Sequence, residues 1–85
     1  MKDRFVIDVH VAGGTLTEEL EVPADISVID LIEGLSSIYG MEIDHNKLYK
    51  YYLKMDYPKA LLRGEILLRD TGMRDGSEVW FWNEE

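Results

Sequence analysis

The chain has 85 residues, of which 46% are hydrophobic and 31% are charged, a composition typical of one globular domain. It contains no cysteine, which excludes disulfides, thiolate metal sites and thiol nucleophiles. The formal net charge is −8, and residues 1–46, with ten acids against Lys2 and Arg4, account for all of it. An acidic surface repels phosphate backbones, so we expect no nucleic-acid partner.

The amino-terminal residues do not have the pattern of a targeting segment. Residues 1–4 include an acid and lead directly into an alternating segment, unlike a signal peptide. No apolar run approaches the roughly 18 residues that a membrane-spanning helix needs. We therefore expect a single domain over residues 1–85, located in the cytoplasm and without membrane insertion.

Residues 5–22 have the pattern of a β-hairpin. Apolar side chains alternate along the first strand, so one face consists of Phe5, Ile7, Val9 and Val11. Gly13 and Gly14 accept the positive φ angles of a tight turn. Residues 16–22 form the returning strand, with Leu20 and Val22 in phase. Pro23 ends that strand because it cannot donate a ladder hydrogen bond.

A helix is predicted to begin after Ser27, whose hydroxyl can accept from the amide of Asp30. Helical spacing produces one apolar stripe, which consists of Val28, Leu31, Ile32, Leu35 and either Ile38 or Tyr39. Gly40 suits a left-handed cap at the end of the helix. Gly34 is interpreted as a point where the sheet can approach the helix closely.

Residues 48–55 are rich in aromatic side chains and are predicted to form a third strand. The favoured phase points Tyr49, Tyr51 and Leu53 inward and leaves the other face to Lys50, Tyr52 and Lys54. A slip of one residue would reverse this assignment, and the sequence leaves that alternative open.

The remaining segments are short. Residues 56–58 are predicted to turn, and residues 60–63 to form an edge strand. A helical turn and the loop after it are expected to fill the core with Leu67, Leu68 and Met73. Asp75 and Gly76 then turn the chain into its last strand.

The last strand, residues 78–82, has large apolar side chains on both faces. Alternate strand residues point to opposite sides, so Val79 and Phe81 can enter the core while Trp80 and Trp82 cannot. A domain of this size has room for one core. The outward face therefore needs another cover, and the sequence predicts a binding module, not an enzyme.

The order of these elements resembles the ubiquitin-like β-grasp fold over roughly residues 4–82. The segment LEVPADIS at 20–27 is similar to the second strand and helix cap of ubiquitin. The segment LLRDTGMRDGSEV at 67–79 resembles the stretch before the last strand of many ubiquitin-like proteins. The resemblance implies an α+β fold, a mixed four- to five-stranded sheet packed on one α-helix.

The printed sequence ends at residues 82–85, directly after the last strand, without a Gly-Gly tail. We therefore expect neither conjugation nor sulfur transfer. Among forms without such a tail, residues 53–75 favour a similarity to the YukD-like proteins. That resemblance implies an accessory role in bacterial type VII secretion. A ubiquitin-like structural subunit of a multicomponent monooxygenase and a self-associating adaptor that forms a homodimer are the alternatives.

The β-grasp resemblance implies where a protein partner would bind. It places the first and last strands side by side and parallel, so that the two tryptophans neighbour Val6, Asp8 and His10 on the open face of the sheet. The expected partner-binding residues are Trp80 and Trp82 as anchors, Val6 and Tyr52 as flanks, Lys50 and Lys54 as a polar rim, and His10. The alternative is that lysine stems cover the indoles.

Other candidate sites have ordinary explanations. His10 and His45 lie on different elements and are interpreted as surface histidines, since a metal site needs three or four convergent ligands. Asp70 and Asp75 belong to turns without the spacing of a calcium loop. No glycine motif for phosphate and no motif for a serine triad is present. We expect no catalytic site, no metal and no cofactor.

Overall fold

The computed structural model describes residues 3–11 and 16–83. Its strands are β1 (Arg4–Val11), β2 (Leu16–Pro23), β3 (Tyr51–Asp56), β4 (Ala60–Leu62) and β5 (Glu78–Asn83). The α-helix α1 covers Val28–Ile38, and two short 3-10 turns cover Leu48–Lys50 and Leu68–Asp70. The predicted hairpin is confirmed in its two strands. Its turn at Gly13 and Gly14 lies outside the described residues.

The five strands form one mixed sheet in the order β2-β1-β5-β3-β4. β1 and β5 are parallel, with Val9 opposite Val79, and the other neighbouring pairs are antiparallel. One face of this sheet packs on α1. The predicted α+β architecture is confirmed, and the first and last strands lie together inside the sheet as expected.

The amino terminus of α1 is fixed by a reciprocal pair of hydrogen bonds. The amide of Asp30 donates to Oγ of Ser27 at 3.0 Å, and the amide of Ser27 donates to Oδ2 of Asp30 at 3.2 Å. Such a capping box satisfies two amides that have no partner inside the helix. Gly40, at φ +63°, then ends the helix in the left-handed conformation. Both predicted caps are confirmed.

The apolar stripe of α1 is buried at Val28, Leu31, Ile32 and Leu35. Tyr39, not Ile38, continues the stripe, because Ile38 is 62% exposed while Tyr39 packs against the core. The interpretation of Gly34 is wrong. A Cβ atom built there meets nothing within 4 Å, because Gly34 lies on the exposed side of the helix.

The third strand begins later than predicted. Leu48–Lys50 form a 3-10 turn instead of extended chain, and the amide of Lys50 donates to the carbonyl of Lys47. Tyr49 is consequently 67% exposed, so its predicted inward position is wrong, and Lys50 is not a strand residue. The favoured phase holds from β3 onward, since Leu53 is fully buried and Tyr51 packs against the core.

The side chains of the last strand are described from Glu78 to Phe81, and these alternate between the two faces of the sheet as predicted. Val79 is fully buried and Phe81 packs at the edge of the core, while Trp80 is half-buried on the other face. The side chain of Trp82, which was predicted to share the face of Trp80, is not among those that the structure describes. Its backbone pairs with Tyr52.

The segment before β5 completes the core. Leu68 and Met73 are buried as predicted, but Leu67 is only half-buried and its backbone bridges to Ser27. Gly76, at φ +88°, makes the predicted turn into β5. Within the described part of the chain, no helix is long and apolar enough to cross a membrane.

Candidate functional site

The candidate site lies on the open face, the side of the sheet opposite α1. Strand pairing aligns one row of residues across all five strands of this face. In sheet order the row reads Thr17, His10, Trp80, Lys54 and Leu61. Because directly opposed residues point to the same side of a sheet, these five side chains are immediate neighbours.

The centre of the row is an aromatic stack. The rings of His10 and Trp80 are 4.4 Å apart between centroids and are inclined by 10°. The imidazole is held at both nitrogens, with Nδ1 2.8 Å from Oγ1 of Thr17 and Nε2 2.9 Å from Oε1 of Glu78. The alternative had lysine stems covering the indoles. For Trp80, the group that lies on one face of the ring is the imidazole of His10.

Beside this stack, the open face contains a groove of about 620 Å³. Its apolar surface includes Trp80, Tyr52 and Leu61, and the last of these is 61% exposed. The polar side chains that line it are Lys54, Asp56 and Lys59. The groove therefore joins exposed apolar area to a rim that carries more positive than negative charge.

Arg63 extends this aromatic and cationic surface. Its guanidinium carbon lies 5.0 Å from the centroid of the Tyr52 ring, within the range of a cation–π contact. The pairing of Leu53 with Leu62 brings the residue after β4 beside Tyr52. Such a contact holds the phenol ring next to the groove.

The structure brings together four of the predicted binding residues, namely Trp80, His10, Tyr52 and Lys54. Val6 lies four residues from His10 along β1, roughly 13 Å at the usual rise per residue. Its carbonyl accepts from the amide of Gly76, before β5 begins. Lys50 lies in the 3-10 turn that precedes β3.

Four contributors to this face were missed by the sequence analysis: Leu61, Lys59, Arg63 and Glu78. The alternation of Leu61 with the buried Leu62 was a signal that pointed to an outward leucine. The role of Arg63 depends on the β3–β4 register, and that of Glu78 on the β1–β5 register. Neither register is visible in a local pattern.

The hydrogen-bonded series Thr17, His10 and Glu78 has the residue types of a catalytic triad, namely a hydroxyl, an imidazole and a carboxylate. Acyl transfer also needs donors for a developing oxyanion and a place for the substrate. Thr17 is exposed on the edge strand β2 and does not line the groove. The contacts shown here hold the imidazole in place against Trp80.

The other histidine is separate from this face. Nδ1 of His45 lies 3.3 Å from Oε2 of Glu33, and both side chains are exposed. In residues 3–11 and 16–83, no three histidine, aspartate or glutamate side chains group as metal ligands.

Comparisons with known proteins are informative about the fold. No family model matches the chain, and no curated protein matches its sequence. A ubiquitin-like domain from tubulin-binding cofactor B is 21% identical with a TM-score of 0.69, over 98% of this chain and 92% of that one. A ubiquitin-like domain of an Arabidopsis thaliana protein is 13% identical with a TM-score of 0.69, over 99% and 81%.

A chain of the MycP5-free ESX-5 inner membrane complex is also similar, at 17% identity and a TM-score of 0.66. The match covers 99% of this chain but 22% of that one. Together the similar structures show that the chain has the ubiquitin-like β-grasp fold, which confirms the predicted fold.

Proposed function

We propose that this chain is a protein–protein interaction module that binds a protein partner through the open face. The observation that carries the proposal is the placement of Trp80, stacked on a doubly hydrogen-bonded imidazole and bordering an apolar groove. Tryptophan and tyrosine contribute much of the binding energy in protein interfaces because they bury a large area with few rotatable bonds.

The stack also prepares the face for binding. Association costs free energy for each side chain that becomes ordered, about 0.5–1.5 kcal/mol for a flexible one. Contacts with Thr17 and Glu78 hold His10, and His10 in turn restricts the indole of Trp80. Less ordering is then needed when a partner arrives.

In this proposal Trp80 is the anchor, Tyr52 and Leu61 flank it, and Lys54 belongs to the rim. Trp82 remains the predicted second anchor. Val6 and Lys50 belong to the predicted set as well, and we expect smaller effects from them because neither lines the groove.

For the biological setting, we propose a cytosolic accessory component of bacterial type VII secretion. Two observations support this setting: the sequence resemblance to the YukD-like group and the structural likeness to a chain of the ESX-5 inner membrane complex. A structural subunit of a multicomponent monooxygenase is the competing setting. The gene neighbourhood separates the two, because one predicts a secretion ATPase nearby and the other predicts di-iron oxygenase subunits.

The proposal is tested by substituting Trp80→Ser and comparing it with Tyr49→Ser. Tyr49 is a matched control because it is an aromatic residue, 67% exposed, that does not line the groove. The wild type and the control are expected to retain the same protein in pull-downs from native cells, while Trp80→Ser loses it. Mass spectrometry identifies the retained protein. Equal retention by all three variants would contradict binding at this face.

Self-association is the remaining candidate, because a second copy would also cover Leu61, which is 61% exposed. A two-fold dimer through this face would bring the lysines of two grooves toward each other, at an electrostatic cost. We therefore rank a homodimer below a different protein partner. Sedimentation velocity over a range of concentrations tests it, and a monomer throughout removes it.

A further inference from the structure

The positive charge of this acidic protein is concentrated in the segment that contains β3 and β4. Residues 47–63 contain five basic side chains and one acid, Asp56, a net charge of +4. Because the whole chain has a net charge of −8, the other 68 residues together carry −12. Ion pairs within the chain do not change these sums. The region that contains β3 and β4 is thus a cationic area on a strongly anionic molecule.

Part of this cationic area borders the groove. Lys54 and Lys59 line it, and Arg63 lies over the ring of Tyr52 at its side. Asp56 is the acidic side chain among the lining residues. An anionic ligand is therefore attracted to the groove and repelled by most of the remaining surface.

The apolar part of the groove has a defined width. Trp80 on β5 and Leu61 on β4 are both opposite Lys54 of β3, so they stand two strand spacings apart, roughly 10 Å. One aliphatic or aromatic side chain fits between them above the Lys54 stem, where long lysine stems provide apolar contact.

We propose that the groove binds an acidic segment of the protein partner, with one apolar side chain of that segment packed between Trp80 and Leu61. This inference rests on the proposed function and specifies its partner. Complementary charge on the groove directs the segment to this site, and the net charge of −12 elsewhere disfavours binding at other surfaces. The same negative charge acts against a nucleic acid, which would extend beyond the groove.

The first experiment selects binders from a random peptide library displayed on phage, with the purified full chain as target. The expected result is enrichment of net-negative peptides that contain a large apolar residue. One enriched peptide is then synthesised with a fluorophore, and its affinity for variants of the chain is measured by fluorescence anisotropy.

Lys59→Glu tests the charge of the groove, and Lys47→Glu is its matched control. Both positions are exposed and undergo the same change of charge, but Lys47 precedes the 3-10 turn and does not line the groove. We expect Lys59→Glu to weaken peptide binding by roughly five- to twentyfold and Lys47→Glu by less than about twofold. Raising the salt concentration should weaken binding of the wild type.

The outcomes separate this inference from the proposed function. Enriched peptides that are neutral or basic, yet lose binding with Trp80→Ser, would overturn the acidic segment and leave the interaction face intact. Equal effects of Lys59→Glu and Lys47→Glu would also overturn it. Peptides that bind Trp80→Ser as well as wild type, or no enrichment at all, would count against the proposed function itself. Competition by single-stranded DNA at equal charge would assign the groove to nucleic acid instead.

Discussion

The two faces of the sheet are made of alternate residues of the same strands, but different interactions hold their side chains. On the core face, Val9, Leu53 and Val79 are fully buried and are held by packing. On the open face, His10 and Trp80 are held by hydrogen bonds and by a ring stack between neighbouring strands. Directional contacts can order side chains without covering them, which leaves apolar area available for a partner.

The largest expected difference between the faces comes from two adjacent leucines of β4. Leu62 is 2% exposed and Leu61 is 61% exposed. Leu62→Ala should lower the free energy of unfolding by about 2–5 kcal/mol, because it removes packed methyl groups and leaves a cavity. Leu61→Ala should change it by less than about 0.5 kcal/mol. Urea denaturation measures both, and similar losses would contradict the assignment of the two faces.

A smaller loss is expected at Ser77, a fully buried polar residue directly before β5. Its hydroxyl donates to the carbonyl of Tyr57 at 2.6 Å and accepts from the amide of Arg74 at 3.0 Å. Ser77→Ala leaves both groups without this partner and should cost about 1–3 kcal/mol in the free energy of unfolding. Ser37→Ala, at an exposed serine of α1, is the control and should cost nothing.

On the open face, His10→Ala should affect binding more than stability. Removal of the imidazole deletes the stack on Trp80, and such aromatic pairs contribute about 0.5–1.5 kcal/mol. We expect a stability loss in that range together with a changed near-ultraviolet circular dichroism signal of tryptophan. Binding of the selected peptide should weaken. An unchanged tryptophan signal would show that His10 does not restrain the indole in solution.

The smallest effect concerns Tyr39, whose hydroxyl oxygen is buried without a hydrogen-bond partner among the described residues. Burial, followed by the nearby Glu18 carboxylate, raises the pKa of Tyr39. The unfolded phenol therefore loses its proton first, so the contribution of Tyr39 to stability is complete below about pH 10 and falls as the pH rises through the raised value.

Tyr39→Phe should therefore reduce the loss of stability as the pH rises from about 10 to about 11. At neutral pH it should change the free energy of unfolding by only a few tenths of a kcal/mol, since the Tyr39 hydroxyl makes no hydrogen bond of standard geometry among the described residues and interacts only weakly with the exposed Glu18. Paired thermal melts of wild type and variant across this pH range measure the difference. A parallel decline in both proteins would contradict the role given to Tyr39.

The sequence predicted the fold well because most of its signals are local. The alternation in β1, the capping box at Ser27 and the glycine after α1 each depend on residues within one element. The start of β3 was misjudged for a physical reason. Residues 48–50 have strand-forming side chains, but the turn they form has its own hydrogen bond, and the hydroxyl of Tyr51 accepts from the amide of Asp44 at 2.8 Å.

The candidate site was predictable in its composition but not in its arrangement. Alternation placed Trp80 and His10 on one face, whereas only the parallel β1–β5 register shows that His10, not Val6, lies beside Trp80. The charge pattern is visible only over segments shorter than half of the chain. The second half is neutral as a whole, and this sum conceals the net charge of +4 in residues 47–63.

The pairing of β1 with β5 has a consequence for biosynthesis. His10 and Glu78, which are in direct contact, are 68 positions apart in the chain. The imidazole platform under Trp80 therefore forms only after both residue 10 and residues 78–80 have left the ribosome. A partner that requires this platform does not recognise a nascent or truncated chain that stops before residue 80.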